Sequence, residues 1–303
     1  MKTKSDGEVL KQLRTYRKLT QLECCQGIIS RHTYSKIERN QTGIQVQILV
    51  ELLERLHVSY DDFLFLKMGG QTPEFYRKKC AEYTRENLSH DYPQKLYNTL
   101  EKKKEQSIKH FHDYLFCKKR MNELDVEKIE QISESDLNQL HSYINRLTFF
   151  STIDLTLFSD MCTFLTYKTA KYAGLKIIEQ LDDFSDYLSL TQAYQQAFHQ
   201  ALTTMTSVAL NNNDYLFVQL LLKKTKEFIF YFPSHYYLVN FHLNTDILNY
   251  KQTENNYYLT KLFVLKDYMK ILEDHSLANK IEEQIKTLLQ QTASLPTNQS
   301  KYL

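Results

Sequence analysis

Apolar residues recur along this chain at spacings of three and four, separated by short polar breaks. That period places them on one stripe of an α-helix. Between residues 7 and 65 the stripes are short. Leu10 and Leu13 mark the inner face of a first helix, with Arg14, Arg17 and Lys18 on its polar side. Thr20 caps a second helix that opens with Gln21, and Ser30 caps a third in which Tyr34 and Ile37 turn inward. Leu49, Leu52, Leu53 and Leu56 make the stripe of a fourth, and Ser59 caps a fifth that carries Phe63. Further on the predicted helices lengthen, with spans near 74–88, 94–119, 134–150, 153–171, 191–211, 214–230, 234–250, 255–272 and 275–291. Asp91-Tyr92-Pro93, Asn211-Asn212-Asn213-Asp214 and Phe232-Pro233-Ser234 supply the turns and caps between them. Helix pairs recurring in this way predict an α-solenoid. The regular 34-residue tetratricopeptide consensus is missing, so the repeats are degenerate.

Composition narrows the fold class. Six glycines and four prolines in 303 residues leave too few turn formers for an all-β chain or a glycine-rich nucleotide fold, which predicts an all-α protein. Five of the six glycines lie in the first 70 residues, and Met68-Gly69-Gly70-Gln71-Thr72-Pro73 reads as a hinge. The expected organisation is a five-helix domain over 1–66, a linker over 67–73, a helical-repeat domain over 74–291 and a polar tail over 292–303. The net charge of +2 hides an asymmetry: residues 1–40 hold nine Lys or Arg against four Asp or Glu, a basic end suited to a polyanion. No apolar run approaches the ~20 residues of a membrane helix, and no apolar signal core follows Met1, so a cytoplasmic location without membrane contact is expected.

Chemistry-bearing motifs are scarce. Cysteines 24, 25, 80, 117 and 162 form no CxxC pair and read as reduced structural thiols, with the vicinal Cys24-Cys25 open as a redox sensor. His110 and His112, two apart, do not share a helix face for a metal. There is no Walker loop, GxSxG, HExxH or dinucleotide fingerprint, so neither an enzyme nor a cofactor is expected. Asp182-Asp183 and Glu282-Glu283 read as solvated helix charge.

The run Leu19-Thr20-Gln21, then Ser30-Arg31-His32-Thr33-Tyr34-Ser35-Lys36-Ile37-Glu38-Arg39, resembles the helix-turn-helix DNA-binding domain of phage-repressor (Xre) type. The closing Leu56-His57-Val58-Ser59-Tyr60-Asp61-Asp62-Phe63 extends the likeness over residues 7–65. The turn is one residue shorter than in most such repressors, and Asn40 stands where glycine is usual, a change that asparagine's tolerance of positive φ permits. With the Gly27-Ile28-Ile29-Ser30-Arg31 turn, the long helical remainder, Arg146-Leu147-Thr148-Phe149-Phe150-Ser151 and Asp154-Leu155-Thr156-Leu157-Phe158, the chain resembles the Rgg/MutR/GadR regulators of Gram-positive bacteria. The resemblance implies a cytoplasmic homodimer that binds double-stranded promoter DNA. It also implies a tetratricopeptide-like domain that receives a short, mainly apolar signalling peptide in quorum sensing. Control by a small molecule or by cysteine redox is the alternative.

A major groove admits an α-helix, so the amino end of the third helix can reach base edges. Arg31 and His32 are the candidates there, beside Ser35, while Lys36 and Arg39 can neutralise phosphates. The resemblance adds Gln21 as a DNA contact and pairs Arg14 with Glu38 in a structural salt bridge rather than giving Arg14 to DNA. For a peptide, Asn240 and Asn244 lie four apart on one helix face, Arg146 could pair a carboxylate, and Tyr236 or Tyr237 could wall a groove. Exposed asparagines and core-edge tyrosines are the ordinary alternative. The Leu262 to Leu272 and Ile281 to Leu289 stripes are expected to supply a dimer interface.

Overall fold

A computed structural model describes residues 3–69, 92–124, 126, 129–183 and 191–293. The described residues form fifteen α-helices and two 3₁₀ turns, with no strand among them. The chain divides into two compact units, Met1–Pro93 and Gln94–Leu303. Residues 70–73 of the expected linker, the helix expected at 74–88, Cys80 and the tail from 294 lie outside the described residues.

The first unit holds α1 (Asp6–Tyr16), α2 (Gln21–Cys25), α3 (Arg31–Glu38), α4 (Val46–Arg55) and α5 (Tyr60–Lys67). Side chains fix their starts. Ser5, Thr20 and Ser59 each accept from the amide three residues on, and Glu8, Glu23 and Asp62 return the bond as capping boxes. The core is built from Leu10, Leu13, Tyr34, Ile37, Leu49, Leu52, Leu53, Leu56 and Phe63, with Cys24 and Cys25 among them. At Gly7, where α1 crosses α3, an added Cβ would lie 1.9 Å from the Ile37 carbonyl oxygen, so only glycine permits that approach. Asn40 takes φ 58°, the left-handed conformation that closes α3.

The second unit runs through α6 (Tyr92–Glu101), a 3₁₀ turn (Lys104–Gln106), α7 (Ile108–Glu123), α8 (Glu134–Arg146), α9 (Thr152–Met161) and a 3₁₀ turn (Cys162–Phe164). It continues with α10 (Tyr167–Asp183), α11 (Gln192–Asn211), α12 (Tyr215–Tyr231), α13 (His235–Thr253), α14 (Asn256–Ile271) and α15 (His275–Ala293). Two spans expected as single helices are broken by local caps. Ser107 accepts from the His110 amide at 3.2 Å and starts α7 afresh, and Thr166 accepts from the Thr169 amide at 3.3 Å ahead of α10. The helix from 134 stops at Arg146 rather than 150, because the following loop docks: the Phe150 amide donates to Gln180 Oε1 (2.6 Å) and its carbonyl accepts from Gln180 Nε2 (2.9 Å) and the Tyr194 hydroxyl (2.6 Å). Asp214 caps α12 by accepting from the Phe217 amide, whereas Ser234 precedes α13 without a side-chain cap.

From α11 onward each helix packs on its successor, and α11 also packs on α13, the arrangement of a helical-repeat stack. The expected dimer stripes are in large part core: Leu262, Met269, Ile281, Ile285 and Leu288 are buried within the unit. What α14 exposes is the opposite set, Phe263, Val264, Tyr268, Ile271 and Leu272, with Leu289 on α15.

Candidate functional site

The basic face of the first unit is set by which cations are already engaged. Arg14 reaches from α1 to α3, donating to both Glu38 oxygens at 2.6 and 3.1 Å and to the Leu19 carbonyl at 2.7 Å. Arg17 donates to the carbonyls of Leu56 and His57 beyond the end of α4, and Arg55 donates to the Glu23 carbonyl. Burial pushes the Glu38 carboxyl up, but hydrogen bonds from Arg14 and Gln21 outweigh it and hold it below the usual range. Gln21 is thereby drawn inward, its amide donating to Glu38 at 2.8 Å from a half-buried position at the start of α2.

Further cations lie on and just after α3. Ser30 accepts from the Thr33 amide, which fixes the first turn, and Arg31, His32 and Thr33 are exposed on it. Tyr34, Ile37 and Glu38 take the inner face, so Lys36 and Arg39 are exposed on the outer one, with Ser35 half-buried between. The side chains of Arg31, His32, Lys36 and Arg39 have no hydrogen bond or ion pair among the described residues. A helix offering guanidinium and imidazole at its amino end, and two cations along its flank, matches base edges and flanking phosphates.

The vicinal cysteines are not on that face. Both are buried, and burial pushes the Cys24 thiol up while its Sγ–H lies 3.2 Å from the Tyr34 hydroxyl. A covered, protonated thiol is a poor oxidation target, which removes the support for redox control through this pair.

In the second unit two cavities lie along α11 and α13. The larger, about 680 Å³, is lined by Gln192, Gln195, Gln196 and Gln200 of α11, by Tyr236 and Tyr237 of α13, and by the turn between α12 and α13. His199 stacks on Tyr237 with ring centroids 3.9 Å apart, and burial pulls its pKa down to about 4, so the imidazole is neutral at physiological pH. The smaller cavity, about 20 Å³, lies further along the same two helices and is closed by α15. Asn240 and Asn244 line it.

Both asparagines are buried rather than exposed. Asn240 Nδ2 donates to the Tyr236 carbonyl and Asn244 Nδ2 to the Asn240 carbonyl. Because a carbonyl can only accept, the Asn240 bond fixes its amide orientation and aims Oδ1 elsewhere, where that buried oxygen has no partner. An unpartnered buried acceptor costs about 1–3 kcal/mol, and here it borders a cavity able to hold its donor.

Tyr236, Tyr237, Asn240 and Asn244 thus share one face of α13. Arg146 is exposed at the end of α8 and lines neither cavity. The sequence reading passed over the glutamines of α11, its Thr203, Ser207 and Asn211, and the lysines at 251 and 280. Their signal is an amide and hydroxyl stripe at spacings of three and four, opposite the buried Phe198, Leu202, Met205 and Ala209.

Residues 94–283, more than half of the chain, match the model of the C-terminal domain of the HTH-type transcriptional regulator Rgg. No curated protein is similar to the chain in sequence. Among solved structures, the SHP pheromone receptor Rgg2 of Streptococcus dysgalactiae shares the fold at a TM-score of 0.74 and 15% identity, over 93% of this chain and 99% of that one. The PrgX/iCF10 complex aligns at a TM-score of 0.70 and 19% identity, over 96% of this chain and 98% of PrgX. The described residues contain no helix long and apolar enough to cross a membrane. The all-α fold and the match across the helical unit agree: the chain belongs to the Rgg family of HTH-type transcriptional regulators.

Proposed function

We propose that this protein is a cytoplasmic, homodimeric, non-enzymatic regulator of transcription that binds promoter DNA and answers a short, mainly apolar signalling peptide. Residues 1–66 would be the DNA-binding head, 67–73 the connection and 74–291 the sensing and dimerisation domain. Arg31, His32 and Ser35 would face base edges, Lys36 and Arg39 phosphates, and Gln21 would contact DNA through what its bond to Glu38 leaves free. The exposed apolar face of α14, with Val264 and Ile271, supports a subunit contact.

One observation carries the peptide reading: the unpartnered Oδ1 of Asn240 in a groove lined by amides and aromatic rings. Amide acceptors and donors spaced along a groove suit an extended backbone, while tyrosine walls take apolar side chains. The test is calorimetry of the full chain against a pool of synthetic octapeptides randomised over Leu, Ile, Val and Phe, with duplex DNA binding followed over a salt series. Heat that disappears in Asn240→Leu, with salt-dependent DNA binding retained, supports the reading. Absence of heat refutes its sensory half, and salt-independent DNA binding refutes its other half.

A further inference from the structure

The two sides of α14 are unlike. Leu262 and Met269, seven residues apart, are buried within the unit. On the other side Tyr257, Val264 and Ile271, also seven apart, are 63%, 64% and 77% exposed. Positions seven apart drift by only ~20° around a helix, so these three make one seam along the whole of α14. Single exposed apolar residues are ordinary, but a seam at heptad spacing is what one helix presents to another. The rings beside it are already held: His235 meets Tyr268 edge-on at 5.6 Å, and Lys266 lies over Phe263 at 5.2 Å.

Spacing and charge point to what covers the seam. It reads alike in both directions from Val264, seven residues back to Tyr257 and seven forward to Ile271, so it complements itself about a two-fold axis at Val264. Thr260 and Asp267 flank it on one side, Lys261 and Tyr268 on the other. Two copies running the same way would set Asp267, its side chain 65% exposed, against the same carboxylate of the other copy. Two copies running opposite ways separate these like charges and set each Asp267 against a Thr260. That exposed hydroxyl bonds the Asn256 carbonyl at 3.0 Å and can turn to donate to the carboxylate. Lys261, which pairs with Asp246 at 2.6 Å, then lies beside the Tyr268 ring of the other copy.

We infer that two copies of this chain pair through antiparallel α14 helices about a two-fold axis at Val264. Tyr257 of each copy packs on Ile271 of the other, and among the three seam residues Val264 alone meets its own copy. The inference rests on the homodimer proposed above and adds its face, direction and register. The outer pairs lie about 10 Å to either side of the axis, seven residues at ~1.5 Å each.

The experiment uses the full chain with Cys80→Ser, the other four cysteines being buried. Val264→Cys, Tyr257→Cys and Ile271→Cys are each oxidised with copper phenanthroline at micromolar concentration, and the disulfide-linked dimer is read on a non-reducing gel. Val264→Cys should link to itself. Tyr257→Cys and Ile271→Cys should each link at least about tenfold less alone, yet link when the two variants are co-expressed. Self-linking of all three with no gain on co-expression marks the parallel arrangement and overturns the inference. Sedimentation velocity separates this from the dimer itself: a dimer in which none of the three links keeps the homodimer and overturns the α14 face, whereas a monomer refutes both. A second variant is independent of cysteine chemistry. Val264→Lys should raise the dimer dissociation constant at least about tenfold with an unchanged far-ultraviolet dichroism spectrum, while Leu216→Lys, at an 80% exposed site on α12, should not. Equal effects of the two overturn the face.

Discussion

Removal of Arg14 should destabilise the first unit more than removal of its partner Glu38. The pair joins α1 to α3 through two hydrogen bonds, and its side chains are 15% and 3% exposed. Breaking a buried pair by deleting one member costs about 3–5 kcal/mol, most of it from the charge left behind. Arg14→Ala strands the deeper charge, with only the neutral groups of Gln21 and Tyr34 left to hold it, so a loss of about 3 kcal/mol is expected. Glu38→Ala leaves a guanidinium at the rim that keeps the Leu19 carbonyl and can reach water, so about 2 kcal/mol is expected. The pH dependence follows from the sign. In the unsubstituted chain the Glu38 pKa is depressed, so its contribution is present above the unfolded carboxylate value of 4.5 and is lost as pH falls through the folded one. In Arg14→Ala the largest opposition to burial is gone and only the hydrogen bonds from Gln21 and Tyr34 remain, so that pKa rises, and the penalty is largest near pH 7 and shrinks as the carboxyl protonates. Hydrogen exchange of the α1 and α3 amides in the full chain reads this region separately from the helical unit. Equal losses in the two variants, or an Arg14→Ala penalty undiminished at pH 4, would refute the reasoning. A DNA role for Arg14 is tested by the salt dependence of duplex binding, whose slope should stay unchanged in Arg14→Ala.

On α3, Lys36→Ala should lower the slope of log affinity against log salt by ~0.9 and weaken all duplex sequences alike, whereas Arg31→Ala should cost ~1–3 kcal/mol on the preferred site and relax base preference. Electrophoretic mobility shift over a salt series separates the two. Asn240→Leu should raise the thermal midpoint, since it removes a buried acceptor that lacks a partner, by up to about 1–3 kcal/mol of stability, while abolishing peptide heat. A calorimetric scan showing a lower midpoint contradicts it. His199 is buried and neutral with a pKa of about 4 against 6.5 when unfolded. The unfolded chain therefore binds the extra proton between those values, and the helical unit should lose up to about 3 kcal/mol as pH falls through that window. His199→Phe should remove this contribution in urea titrations at pH 7 and pH 5 while keeping the stack on Tyr237.

Helix starts in the first unit were legible in the sequence because they are encoded in two residues at fixed spacing, whereas those of α7 after Ser107 and α10 after Thr166 were passed over. Ser5 with Glu8, Thr20 with Glu23 and Ser59 with Asp62 act within one turn, and tertiary contacts leave them alone. In the second unit the ends expected at 211, 230 and 272 lie within a residue of those observed, but others were not legible, because they depend on distant partners. Nothing near Arg146 announces that Phe150 will bond Gln180, 30 positions on. The amide groove was obscured for a related reason. Gln192, Gln196 and Gln200 stay exposed on α11, and only the turn between α12 and α13 beside them makes that face a wall of a cavity. Asn240 and Asn244 were visible as a pair, but only packing decides that they are buried and that one oxygen lacks a donor. Arg146, the cation chosen from sequence, lies at an exposed helix end, while Lys251 and Lys280 meet across 29 positions.

Regulation adds a requirement that the groove alone does not meet. A peptide that bound equally well to the DNA-competent and DNA-incompetent arrangements of a dimer would shift neither, however tightly it bound. The closing of α15 on the small cavity offers the needed difference, because Gln284 and Thr287 line it from α15 while Asn240 and Asn244 line it from α13. A ligand group touching both helices would hold them at one separation, and any arrangement that opens this gap loses that contact. A differential affinity of ~1–3 kcal/mol, five- to 150-fold, is the usual size of such coupling. Linkage makes the effect reciprocal: saturating operator DNA must change peptide affinity by the same factor that peptide changes operator affinity. In Gln284→Ala both factors should fall together toward one, even where the peptide still binds. Retained coupling in that variant would place the switch elsewhere in the helical unit.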